Sequence, residues 1–190
     1  GGGTGGVVVT PPVETAISGK SVKGVMTNAV VKVFKYVDNA AVELTAAELK
    51  DSNIVTDAQG NYTFTVLDYN GPIKVEVSVS SDANSPTTML CDAPSGCGGV
   101  AFGQEVNLTA NASDFMLTSI SSVESGTPAK VNVSPLTHIA TALVESSTEI
   151  TAESVQQHVS KVANTFGIQG SIVELEPTSV NSASDVANEE

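Results

Sequence analysis

The sequence predicts a mainly β protein: an antiparallel β-sandwich over residues 17–133, preceded by a Gly/Pro-rich tether (1–16) and followed by a small helical segment (134–190). Three observations predict it. Val, Thr and Ser predominate over Leu, Glu and Lys, and β-branched enrichment favours strands. Short runs of alternating apolar and polar residues recur between Asp/Asn/Gly/Pro turns. At residue 134 the apolar period changes from two to that of a helix.

The opening GGGTGG cannot order itself, because glycine loses the most backbone entropy on folding, so it reads as a tether. Val7, Val8, Val9 and Thr10 then form a short strand candidate that Pro11-Pro12 stops. In 17–39 two faces alternate: Val30, Lys32, Phe34 and Tyr36 against Val31, Val33, Lys35 and Val37. Apolar residues on both faces predict a strand covered on both sides, or one whose lysines snorkel from an edge. Thr45 is placed to cap a single helical turn through Leu49.

Residues 53–82 read strand, turn, strand, turn, strand. Asp57–Gly60 supplies the first turn and Tyr69-Asn70-Gly71-Pro72 the second. Tyr62, Phe64 and Val66 alternate with Thr63 and Thr65. Ile73, Val75, Val77 and Val79 point inward, with Lys74, Glu76 and Ser78 outward. Weaker strands follow at Thr87–Leu90, Gln104–Leu108, Phe115–Ile120 and Lys130–Val133, a spacing that suits a sandwich.

Ser134 is an N-cap with Pro135 at the first helical position. Leu136, Ile139, Ala140, Leu143 and Val144 form the predicted buried stripe. A second helix starts at Thr151, buries Val155, Val159, Val162 and Phe166, and stops at Gly167. The last twelve residues read as an N-cap and the first turns of a third helix, so the polypeptide is expected to continue.

Composition excludes one class. The chain carries 21 acidic residues against eight bases, a net charge of −13, and every base is a lysine. Nucleic acid needs clustered cations and is excluded. No run of 18 apolar residues is present, so no transmembrane helix is expected. The start at Gly1, without an initiator methionine, fits a removed signal.

Cys91 and Cys97 flank a Pro-Ser-Gly turn. A zinc site needs four ligands, and only His138 and His158 remain, both far along the chain. A disulfide needs only an oxidising compartment, which favours secretion. Neither histidine belongs to a recognisable triad or metal motif, so both read as boundary or surface residues and no enzyme is expected. Asp57, Asp68 and Asp82 lie in Asx-rich turns that present hard oxygens to calcium, although Asx turns account for the same residues. No other cofactor is expected. With no tryptophan, Tyr36 and Tyr69 are what remains for a sugar platform. Lys32 or Lys35 with Asn107 forms a candidate isopeptide pair, against a snorkelling lysine. Asn61, Asn107, Asn111 and Asn132 head N-x-S/T sequons, which matter only in a glycosylating host.

The stretches AVVKVFKY, IVTDAQGNYTFTV and IKVEVSV resemble the transthyretin-like (carboxypeptidase regulatory-like) domain, an Ig-like sandwich. Its turn-and-strand motif is matched by Thr56, Asp57, Gly60, Tyr62 and Phe64. VNVSPLTHIATALVES and VQQHVSKVANTFGI are similar to the helical segment after such sandwiches in large secreted or lipid-anchored Gram-negative surface proteins. The Gly-rich opening looks like the stretch that follows a lipoprotein's acylated cysteine, which implies a lipid anchor upstream of Gly1. The resemblance implies an extracellular or outer-membrane module with a structural or adhesive role, associating with itself or with another surface protein. Val7–Thr10 would then pair either within its own chain or with a neighbouring copy, as a donor strand that builds a filament. The alternatives are a carbohydrate- or calcium-binding module of a larger secreted protein, and a monomeric envelope lipoprotein domain that docks a partner.

Overall fold

A computed structural model describes residues 2–3, 5–6, 9–21 and 25–174. Among these residues the strands are β1 (Glu14–Lys20), β2 (Met26–Thr27), β3 (Val30–Val37), β4 (Ala40–Glu43), β5 (Asn61–Leu67), β6 (Gly71–Ser78), β7 (Thr88–Leu90), β8 (Glu105–Asn107), β9 (Met116–Val123) and β10 (Ala129–Lys130). The helices are α1 (Leu108–Asn111), α2 (Pro135–Glu145) and α3 (Ala152–Thr165). The fold is mainly β, with sheets that are antiparallel except for the parallel β1–β10 pair, and a small helical segment.

One sheet has the order β10-β1-β5 and a second the order β4-β3-β6-β9. A small third sheet, β2-β7-β8, carries the cysteine loop. Alternation decides which faces meet. Ile17 pairs with Phe64 and Thr15 with Val66 across β1 and β5, and all four are buried. Opposite them, β6 turns Ile73, Val75 and Val77 inward, each fully buried, beside Val31 and Val33 of β3. These side chains share one core, and burying each large apolar group contributes about 1.5–3 kcal/mol relative to exposing it.

β5 and β6 do not form the hairpin their turn suggests. β5 pairs with β1, whereas β6 pairs with β3 and β9, so residues 68–70 carry the chain from one sheet to the other. Asp68 makes the crossing at φ +48, with its N–H donating to the Val13 carbonyl at 2.9 Å. The first of the three predicted strands shrinks to an isolated bridge between Val55 and Val30.

The helices cover the outer face of the four-stranded sheet beside β9. Both start at capping boxes, on Ser134 and Thr151. In α2 the buried residues are Thr137, Ala140, Thr141 and Val144. Ile139 and Leu143, predicted inside, are 42% and 38% exposed. The helix buries threonines because their hydroxyls are satisfied locally: Thr141 donates to the Thr137 carbonyl and Thr137 to the Thr118 carbonyl, both at 2.8 Å. α3 buries Val155, Val159 and Val162 as expected, with Ala163, while Phe166 is exposed. Gly167, at φ +67, ends it. α1 replaces the end of a predicted strand, because the Asn107 side chain accepts from Ala110 N–H and caps it. Val7, Val8 and the predicted third helix lie outside the described residues.

Candidate functional site

The turn motif is built by hydrogen bonds that its residues dictate. One Asp57 carboxylate oxygen accepts from the N–H of Gln59 (2.9 Å) and of Asn61 (2.8 Å). Gly60 has φ +80, and a Cβ there would stand 2.8 Å from the Ser21 carbonyl, so only glycine fits. Tyr62 and Phe64 leave the turn into the core and stack in parallel, 6.1 Å between centroids. The Tyr62 hydroxyl donates to the Val131 carbonyl, and burial pushes its ionisation well above the ordinary tyrosine range.

The three calcium candidates lie on separate loops. Asp68 accepts from Val13 N–H at 2.8 Å and Asp82 from Asn84 N–H at 2.9 Å, so each aspartate organises main chain as Asp57 does. Among the described residues no three His, Cys, Asp or Glu side chains gather into a metal-binding group. Cys91 and Cys97 are joined by a disulfide that closes the loop after β7.

The remaining candidates separate as well. Lys35 pairs with Glu48 at 2.5 Å, exposed Lys32 sits opposite Glu76 in the β3–β6 register, and Asn107 caps α1. Tyr36 donates to Glu145 at 3.3 Å, beside Lys74 at 3.1 Å from the same carboxylate. Burial, then Glu145, drives its ionisation upward. Lys74 also lies 5.7 Å from the Phe34 ring centroid. These contacts tie α2 to the sheet rather than presenting a flat aromatic platform. His158 lies half-buried on α3. His138 is also half-buried, but its Nδ1 accepts from the main-chain N–H of Thr118 at 3.1 Å. A cleft of about 510 Å³ opens where α3 meets the end of β9, lined by Ile120, Ser122, Gln156 and Ser160 among others.

The sheet edges are treated unequally. β5 is covered by the segment after Thr45: Lys50 N–H donates to Thr65 (3.0 Å), Leu67 N–H to Glu48 (2.8 Å), and Thr65 N–H to the Asp51 carboxylate (2.6 Å). At β9, His138 and Thr137 of α2 take the Thr118 N–H and C=O. Among the described residues the outer edge of β4 carries no such cover. Asp38 and Asn39, both at positive φ, make a two-residue turn that pairs Val37 with Ala40 and Lys35 with Val42. In a two-residue hairpin those pairs exchange the hydrogen bonds, as does Leu44, whose N–H donates to Val33. The main-chain groups of Ala41 and Glu43 therefore point away from the sheet. Among the described residues they meet no partner. All four β4 residues are exposed, and Val37 and Val42 are 45% and 42% exposed on the rim of the core. The alternation in the sequence marks β3 but not β4, whose Ala-Ala-Val-Glu run carries no strand signal; the Asp-Asn pair after Val37 was the available clue.

Of the candidate donor strand, Val9 and Thr10 are exposed, Val9 at 82%, and belong to no strand. Val13, by contrast, is fixed to Asp68 by two bonds, its N–H donating to the carboxylate and its carbonyl accepting from the Asp68 N–H.

No family model matches the sequence, and no curated protein matches it. Among solved structures, the chain is similar to a DUF3823 family protein from Parabacteroides merdae at 7% identity, with a TM-score of 0.29, over 63% of this chain and 44% of that one. The chain thus spans less than half the length of the structure it matches.

Proposed function

We propose that this chain is a non-catalytic extracellular module of a surface protein, of the transthyretin-like kind, whose role is structural or adhesive and which associates by strand addition. The observation that carries the reading is the exposed Val9-Thr10 stretch, held outside the fold next to a fixed anchor at Val13. β-branched residues that join no strand among the described residues are suited to adding to another sheet. The Cys91–Cys97 disulfide supports an oxidising compartment. The transthyretin-like turn and the Gly-rich opening support attachment to a Gram-negative-type surface.

The test is the solution state of the chain with and without residues 1–12, by light scattering and negative-stain microscopy. The proposal expects concentration-dependent oligomers or fibres for the full chain and single molecules for the shortened one. Single molecules in both cases would refute assembly.

A further inference from the structure

We infer that the acceptor for strand addition is the outer edge of β4 in a second copy of this chain, which receives Val7–Thr10. The inference rests on the proposed function above and adds where the contact forms.

Edges of β-sheets are templates for pairing, and folds normally blunt them. Here β5 is covered by residues 48–51 and β9 by α2, while β10 is two residues long and β8 runs directly into α1. Among the described residues nothing covers β4, and its own sequence has no guarding lysine or proline. It offers Ala41 and Glu43 main-chain groups outward and the exposed Val37 and Val42 side chains on the core rim.

Length and charge fit the same occupant. Val7–Thr10 is four residues long before Pro11 ends its pairing capacity, and β4 is four residues long. Two copies of net charge −13 repel each other. Residues 1–13 carry no charged side chain, the first being Glu14, so this segment can approach β4 without adding to the repulsion. An edge contact of this type is heterologous: the copy that donates keeps its own β4 free for the next, which propagates the assembly. Added salt screens the repulsion and strengthens the contact, opposite to an interface built on ion pairs.

Amide hydrogen exchange on the full-length chain tests the site, at low and high protein concentration. The expected result is that Ala41 and Glu43 amides slow by about tenfold or more on association, while Ala40 and Val42, bonded to β3, change little. Ala41→Pro removes an outward N–H without touching the β3 ladder, and it is expected to abolish both association and protection at Glu43. Circular dichroism of that variant should match the parent. Unchanged exchange at Ala41 and Glu43 in a chain that does associate would overturn this acceptor while leaving strand addition standing, as would an Ala41→Pro chain that associates normally. A full chain that stays single at every concentration and salt level would overturn both.

Discussion

The main-chain N–H of Thr118 donates to Nδ1 of His138 across 3.1 Å, joining an edge strand to the first turn of a helix. The bond places the neutral ring's proton on Nε2. It also explains how a sheet edge with a buried threonine avoids an orphaned donor. His138→Ala leaves that N–H without a partner and is expected to cost about 1–2 kcal/mol of stability. Urea denaturation measures the cost, and faster exchange of the Thr118 amide locates it. A variant as stable as the parent would show that the bond contributes nothing.

One residue along, the Ser119 hydroxyl is buried on the inner face of β9 with no hydrogen-bond partner among the described residues. Ser119→Ala removes an unsatisfied polar group at almost constant volume, so a gain of about 1 kcal/mol is expected. Thermal denaturation should show a higher Tm. A lower Tm would mean that the hydroxyl does find a partner.

Glu48 sets an acid limit. Its hydrogen bond to Lys35, then that from Thr45, holds its carboxyl below the usual carboxylate range. A carboxyl depressed in the folded state contributes stability that is complete above the unfolded value near 4.5 and is lost as pH falls through the folded value. The partly exposed pair contributes no more than about 1 kcal/mol after solvent screening. Denaturation of the parent and of Glu48→Gln should therefore differ at neutral pH and converge below about pH 4.5. A gap that persists unchanged into acid would assign the difference to packing.

The three tyrosines set the alkaline limit. Burial raises Tyr62, Tyr36 and Tyr69 alike, with Glu145 adding to the shift at Tyr36 and Glu48 at Tyr69. A group raised in the folded state stabilises fully below its unfolded value, here near 10, and that contribution is lost as pH climbs through the folded value. Absorbance of tyrosinate at alkaline pH should stay low through pH 10 and rise together with loss of the folded circular dichroism signal. Ionisation of all three at ordinary pH in a chain that remains folded would contradict their burial.

The features visible in the sequence were those set by local physics. Asp57 and Gly60 specify their turn through short-range bonds and φ, Ser134 and Thr151 cap their helices, and the alternation of β6 marks its inner face. What the sequence concealed depended on distant partners. The residues at 68–70 look like a hairpin turn whichever sheet the next strand joins, so pairing β6 with β3 rather than with β5 is invisible locally. In α2, apolar residue type pointed to Ile139 and Leu143, yet Thr137 and Thr141 lie inside, because hydroxyls that bond within their own helix or to β9 bury at little cost. The open edge of β4 is invisible in the sequence for a related reason: an edge is defined by what fails to pair with it.

The burial of Asn132 bears on how the protein can be made. Its side chain accepts from Lys20 N–H at 3.0 Å, and its own N–H donates to Val173 at 2.7 Å, so the residue is clamped between β1 and the segment after α3 and is wholly inaccessible. Yet it heads a sequon, as do the exposed Asn61, Asn107 and Asn111. A eukaryotic secretory host attaches its oligosaccharide to the nascent chain, before that clamp closes. Chains glycosylated at Asn132 would be barred from the native state, while sugars at Asn61 or Asn111 would ride on the surface, and the yield of folded protein from such a host would report how often the transferase reached Asn132 first.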